Sequence, residues 1–282
     1  MKITLVKACS SLGVHIDGSE KGPINLNEID SLVDKVETVQ MGKVKKELDK
    51  DNKRKNFKAL NKYNEELYNK IVKDNNFIIT VGGDHSIAIS SALASAKKFP
   101  GEGILWIDAH SDYHNLDSTI SGNIHGMPFA TITGENCNEL SFFFDGKYIN
   151  SKKAVLIGGR DIEEPEYVNL KKAGVKIFTT EDIKTLGVKK VMEESFKIAG
   201  PKMHVSYDLD VIDPKVAPGV SVKAIDGINK EEAYEILDEL ISNKDAINSL
   251  DLVEFNPDND IDDKTKEIAL HILEKYIKEK KF

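Results

Sequence analysis

Ile104-Leu105-Trp106-Ile107-Asp108-Ala109-His110-Ser111-Asp112-Tyr113-His114 joins an apolar run to four ionisable side chains at alternate positions. A strand over residues 104–108 buries the apolar run. Side chains 108, 110 and 112 then keep pointing to one side as the strand ends. Two carboxylates and an imidazole are expected to meet just beyond a strand's carboxyl end. Burying two anions side by side is costly unless a cation offsets them, so the stretch points to a metal ion.

The same pattern recurs outward in both directions. Apolar strands are predicted over 77–81, 154–158, 203–207 and 247–253. They run into Gly82-Gly83-Asp84-His85-Ser86, Gly159-Arg160-Asp161, Asp208-Leu209-Asp210 and Glu254. Residues 1–6 read as a first strand, 10–23 as a turn-rich loop and 175–178 as a further strand. Helices are predicted over 87–98, 181–198, 231–241 and 264–280, with another through Tyr167 and Leu170 to Ala173, stopped by Gly174. The charged stretch 43–73 carries Leu60, Tyr63, Leu67 and Ile71 at helical spacing. Its acids Glu47, Asp49, Glu65 and Glu66 are interleaved with the lysines, which reads as a solvated helix with one buried stripe, not a binding patch.

Strand and helix alternate without an internal repeat, a low-complexity linker or a break in composition. The fold class is therefore α/β: a single three-layer domain over residues 1–282, with a mostly parallel central sheet and helices on both faces. Such sheets bind ligands beyond the carboxyl ends of their strands. His85, Asp108, Asp208 and Glu254, each at a strand exit, are expected to face one crevice.

Bulk properties narrow the partners. Of 282 residues, 40% are hydrophobic and 30% charged, and the formal net charge is −8. That balance suits a globular chain with a substantial core and argues against nucleic acid or an anionic membrane as partner. The N-terminus lacks the apolar stretch of a signal peptide, and no run reaches the ~20 apolar residues of a spanning helix. Cys9 and Cys137 stand alone, so neither a disulfide framework nor a zinc–cysteine site is indicated. A cytoplasmic location is expected.

The motifs differ in weight. Gly82-Gly83-Asp84-His85-Ser86, taken alone, reads as a strand-to-helix turn, and no phosphate-binding glycine pattern accompanies it. Asp108-x-His110-x-Asp112 is stronger, because a solvated loop does not explain its apolar entry. Asp208-x-Asp210 repeats the device, whereas Asp213, followed by Pro214, reads as a turn residue. Carboxylate oxygens and imidazole nitrogens without thiolate suit manganese, magnesium or ferrous iron better than structural zinc. His85, Asp108, His110, Asp112, Asp208 and Asp210 are too many for one tetrahedral ion. They suit two octahedral ions sharing carboxylates, which lie about 3.5–4 Å apart in such sites.

Gly82-Gly-Asp-His-Ser86, Asp108-Ala-His-Ser-Asp112, Ser121-Gly-Asn-Ile-His125-Gly126, Ser206-Tyr-Asp-Leu-Asp210 and Glu254-x-Asn256-Pro257 resemble, in order, the motifs of the ureohydrolase family. That family includes arginase, agmatinase and formimidoylglutamase. The likeness spans nearly the whole chain, and the Ser121–Gly126 and Arg160-Asp161 segments are most similar to arginase. The resemblance implies two Mn2+ ions, with Fe2+ or another divalent ion accepting the same donors. One ion is held by His85, Asp108, Asp112 and Asp208, the other by Asp108, His110, Asp208 and Asp210, with Asp108 and Asp208 bridging.

It further implies hydrolysis of L-arginine to L-ornithine and urea through a metal-bridging hydroxide. His125 moves protons, Glu254 accepts from the guanidinium, and Asp112 counts with the catalytic set as well as the ligands. Ser121, Asn123 and His114 serve the substrate carboxylate, and Glu163 and Glu166 its amino group. The partner implied is a small guanidino substrate, and the assembly a homo-oligomer, trimer or hexamer.

Three positions depart from the arginase pattern. His114 replaces an asparagine, Glu163 an aspartate, and Gly219-Val-Ser-Val-Lys223 a Gly-Thr-Pro segment, leaving Lys223 without a role. Agmatine or another guanidino or formimino acid is therefore the alternative substrate. A metal-binding regulatory or structural relative without turnover is the alternative of another class.

Overall fold

A computed structural model of the chain describes residues 1–44, 48–49, 54–135 and 137–282. The strands are β1 (Ile3–Cys9), β2 (Lys35–Gln40), β3 (Leu48–Asp49), β4 (Arg54–Lys55), β5 (Phe77–Gly82), β6 (Gly103–Ile107), β7 (Ala154–Gly159), β8 (Lys176–Thr179), β9 (Met203–Asp208) and β10 (Ile247–Val253). Apart from the antiparallel pair β3–β4, they form one eight-stranded sheet in the order β2-β1-β5-β10-β9-β6-β7-β8. Every neighbouring pair in it is parallel.

The continuous apolar runs follow from that arrangement, since a parallel sheet is covered on both faces. All residues of β1, β5, β6, β7, β9 and β10 are buried. Helices are α1 (Gly22–Asn25), α2 (Phe57–Val72), α3 (Ala88–Lys98), α4 (Pro128–Ile132), α5 (Cys137–Leu140), α6 (Glu164–Ala173), α7 (Thr180–Leu186), α8 (Val188–Ala199), α9 (Lys230–Ser242) and α10 (Lys264–Lys281). Ile104 and Trp106 of β6 pack on one side with Leu67 of α2, Leu93 of α3 and Phe129 of α4. Leu105 and Ile107 face the other side with Val191 of α8, Ile236 of α9 and Ile272 of α10. The two-residue alternation of the strand thus divides the apolar run between two helical layers.

The α/β three-layer reading is borne out, with local differences. The helix expected over 181–198 is two helices, because Gly187 adopts φ 82° between α7 and α8. The strand β2 lacks an apolar run because it is an edge strand, largely exposed apart from Val39. Four residues of the expected N-terminal loop and its flank form α1. The helix anticipated from residue 43 starts at Phe57. Its stripe Leu60, Tyr63, Leu67 and Ile71 is buried as expected. Glu47 lies outside the described residues, as does the side chain of Asp49.

Four adjacent central strands, β5, β10, β9 and β6, deliver the functional side chains from their carboxyl ends. Gly83 ties this end together: its N–H donates to Ala8 O at 2.9 Å and its carbonyl accepts Glu254 N–H at 2.8 Å. A Cβ there would stand 1.9 Å from Ser10 O, so only glycine fits.

Candidate metal centre and active site

His85 is fixed before it meets a ligand. Asp84 accepts the Ser86 N–H at 2.9 Å and the Gly13 N–H at 3.0 Å, shaping the turn that carries His85. The His85 N–H donates to Glu254 Oε1 at 2.9 Å. Its ring stacks on Trp106, with centroids 4.0 Å apart, and its Nε2 lies 2.8 Å from Ser206 Oγ. Nδ1 is thereby aimed at Asp108 Oδ2, Asp112 Oδ2 and Asp208 Oδ2, at 3.0, 3.2 and 3.0 Å.

The expected convergence of 108, 110 and 112 occurs, but by a different route. Strand β6 stops at Ile107, and Asp112 sits at φ 49°, in the left-handed region. A turn, not continued strand alternation, brings Asp112 back to His85. Asp108 Oδ1 accepts the His110 N–H at 2.7 Å, and Oδ2 the Trp106 indole N–H at 2.9 Å. Across the gap, Asp208 Oδ1 accepts the Asp210 N–H at 2.8 Å. Asp210 Oδ1 accepts from Ala109 N–H at 3.2 Å, and its Oδ2 lies 2.8 Å from His110 Nδ1.

Two groups of donor atoms result: His85, Asp108 and Asp112, and Asp108, His110 and Asp210, the atoms of each lying within 4.8 Å of one another. Asp108 belongs to both, and Asp208 adjoins the first through His85. His85 Nδ1 faces three carboxylate oxygens yet makes no hydrogen bond of good geometry, and the buried His110 Nε2 has no hydrogen-bond partner.

The charges tell the same story. Burial, reinforced by Asp108, pushes the Asp112 carboxyl up to about 7. Burial and the neighbouring acids also raise Asp208 and Asp210. Burial acts the same way on Asp108, but hydrogen bonds from His110 and His85 outweigh it and hold that carboxyl below its ordinary value. Four buried acids cannot all ionise here without added positive charge. An oxygen-and-imidazole donor set with that deficit fits divalent cations of the manganese, magnesium or ferrous type.

A cavity of about 200 Å³ opens above these groups. Its lining includes His85, His110, Asp112, Asp208, Asp210, His125, Glu254, His114, Ser121, Asn123, Glu163 and Glu166. Every site residue expected from the sequence is on its wall except Asp108, which is fully buried. Glu254 stands at φ 67° at the exit of β10, and its buried Oε2 has no hydrogen-bond partner. Its Oε1 lies 3.3 Å from His125 Nδ1. Burial works against the charged imidazole, but Glu254 outweighs it and raises the His125 pKa above its ordinary value.

At the outer wall, His114 Nε2 lies 3.3 Å from Glu163 Oε2 and 3.6 Å from Glu166 Oε2. Glu166 is also the capping acid of α6. It accepts from Ser111 Oγ at 2.6 Å, Tyr113 N–H at 3.1 Å and Glu163 N–H at 3.0 Å. Lys223 is not on this wall: it lines a neighbouring cavity of about 470 Å³ with Arg160 and Lys184, and Val222 faces the site instead.

Several participants escaped the sequence reading. Trp106 counted only as part of an apolar run, although an indole N–H in a buried strand needs an acceptor. Ser206 lies two residues before Asp208, on the same side of β9, and its polarity within that strand was the available signal. Asp161 lines the cavity with its Oδ2 3.7 Å from His110 Nε2.

The model of the arginase family matches residues 3–278, nearly the full length. The chain belongs to the arginase family. An arginase of Bacillus subtilis is 33% identical over 238 residues, covering 82% of this arginase-family chain and 79% of that protein. Among solved structures, the arginase of Bacillus caldovelox superposes with a TM-score of 0.88 at 29% identity, covering 99% and 97% of the two chains. The arginase of Entamoeba histolytica, whose structure is a complex with L-ornithine, has a TM-score of 0.88 at 28% identity, covering 98% and 97%. The expected membership of the ureohydrolases, nearest to arginase, is thereby borne out, and so is the fold.

Proposed function

We propose that this arginase-family chain hydrolyses L-arginine to L-ornithine and urea, with two Mn2+ ions held by His85, Asp108, Asp112, Asp208, His110 and Asp210. Residues 1–282 are taken to act as one domain, in a cytoplasmic homo-oligomer, trimer or hexamer. The observation that carries the reading is the pairing of two donor groups sharing Asp108 with the unpartnered Oε2 of Glu254 on the same cavity. A carboxylate oxygen buried without a donor suits a cationic substrate group, and a guanidinium supplies planar N–H donors.

When bound, paired divalent ions supply a water ionised near neutral pH. The chain's own residues do the rest. Glu254 accepts from the guanidinium and orients its carbon toward the acids Asp112, Asp208 and Asp210 on the cavity wall. His125, 3.3 Å from Glu254, is within reach of the leaving amine and hands it a proton. His114, Ser121 and Asn123 address the substrate carboxylate. Glu163 and Glu166 address its amino group, with Glu163 the more exposed of the two.

Acids outnumber cations at that mouth, and this favours agmatine as the second reading. Manganese-loaded protein assayed for urea release with L-arginine and agmatine side by side separates the two. Preference for arginine supports the proposal, and preference for agmatine replaces its substrate. Silence with both, metal bound, points to another guanidino or formimino acid or to a non-catalytic relative.

A further inference from the structure

The N-terminal loop lies against the segment that carries both Asn123 and His125. The His125 N–H donates to Gly13 O at 3.0 Å. Two residues further along the loop, His15 Nδ1 lies 3.1 Å from Asn123 Nδ2. His15 is itself exposed, whereas Asn123 is buried and on the cavity wall. An amide nitrogen can only donate, so His15 Nδ1 is the acceptor of this contact.

An asparagine amide has a donor end and an acceptor end of nearly the same shape, and its neighbours decide which end lies where. His15 Nδ1 pins the NH2 end on its own side. The amide nitrogen has two N–H bonds, so an acceptor that takes one fixes the direction of the other. Separately, the backbone N–H of Asn123 donates to Ser121 Oγ at 3.2 Å, which ties the Asn123 main chain to the other residue assigned to the carboxylate.

We propose that His15 is a positioning residue that fixes Asn123 as a hydrogen-bond donor and thereby sets selectivity for substrates with a carboxylate. This rests on the arginine reading above. His15 does not touch the reacting atoms. It acts through Asn123, so it governs KM for carboxylate-bearing substrates and leaves the chemical step alone. An amide that lacks this acceptor is held less firmly with its NH2 end in place, and a reversed amide presents its carbonyl to the carboxylate and loses the bond.

The test compares His15→Ala, His15→Gln and His15→Lys in the metal-loaded full chain, with KM and kcat measured for L-arginine and agmatine. His15→Ala raises KM for arginine by about 3- to 10-fold, the range of one neutral hydrogen bond. kcat and the agmatine KM stay within about 2-fold. His15→Gln, which keeps an acceptor, restores the arginine KM. His15→Lys is decisive, because it offers only donors. If the residue acted by charge, the lysine would lower KM for the anionic substrate group; acting by orientation, it raises KM like alanine.

A lowered KM in His15→Lys, or an unchanged one in His15→Ala, overturns the proposal. Nitrogen NMR of the histidine rings gives a readout independent of turnover, with Nδ1 of His15 expected as the unprotonated nitrogen. A protonated Nδ1 also overturns it. Failure of the wild-type chain to use arginine is a different result: it removes the substrate reading, while the NMR arm still reports on the His15–Asn123 bond.

Discussion

The indole N–H of Trp106 donates to Oδ2 of Asp108 at 2.9 Å, joining a core side chain to the carboxylate common to both donor groups. The same ring is stacked between His85 and Phe129, at centroid distances of 4.0 and 4.8 Å. The aromatic column on one face of β6 therefore also aims two of the residues proposed to hold metal, His85 and Asp108. Trp106→Phe keeps a ring in the column and removes the donor. Outer partners of this kind are worth about 10- to 100-fold in metal affinity. A competition titration with a chromogenic chelator is expected to show a loss in that range, and wild-type affinity would show that Asp108 does not depend on the indole.

Asp108→Ala removes the acid common to both donor groups, and Asp208→Ala the acid that faces His85 beside them; both are proposed to bridge the two ions. Both variants are expected to lose one or both metal ions and nearly all turnover. Elemental analysis after dialysis reads this directly, and two ions per chain in either variant would end the bridging assignment for that residue.

His125 is held by Gly13 and Glu254 and contributes to neither donor group. His125→Asn is therefore expected to retain full metal content while turnover falls by about 10²–10⁴-fold. Unchanged turnover would take His125 out of proton transfer.

Far from the site, Lys280 of α10 is 5% exposed and donates to Ile247 O at 3.0 Å and to Lys244 O. Its ammonium also lies 4.3 Å from the Phe77 ring centre. Burial pushes its pKa down to about 8. Below that pH the folded and unfolded chains both carry the proton, and the burial cost is felt in full. Between about 8 and the ordinary lysine value near 10.4 only the unfolded chain holds it, so stability rises with pH across that window. Urea midpoints of the wild type, measured from pH 7 to 10, are expected to climb relative to those of Lys280→Met. Parallel curves would show that Lys280 titrates normally.

What the sequence made legible was the strand ends. An apolar run that stops at Asp108, at Asp208 or before Glu254 announces both a buried parallel strand and a polar group at its exit, because the two share one backbone. The cavity lining expected from those exits formed nearly in full. The route to Asp112 was not legible, since a left-handed residue after Ile107 leaves no trace in residue alternation. Nor was the direction of Lys223, where a single step along the chain puts Val222 on the wall and the cation outside it. Gly187 divides a helix that apolar spacing alone runs through. The donor role of Trp106 was hidden because its hydrophobic surface accounted for its position well enough.

The strand order has a further consequence, for the order of events during synthesis. β10, the last strand of the chain, lies between β5 and β9 in the middle of the sheet. On either side of it lie two groups of strands, β2-β1-β5 and β9-β6-β7-β8, which residues 1–246 already contain. One carries His85 at its end; the other carries Asp108, Asp112, Asp208 and Asp210, and both present open edges where β10 belongs. Only β10 pairs with both of those edges, so the facing of His85 and the acids across it depends on the strand that is made last. A divalent cation that binds only the assembled site would stabilise the closed sheet by mass action, so the last strand made would also be the one that completes the proposed metal centre.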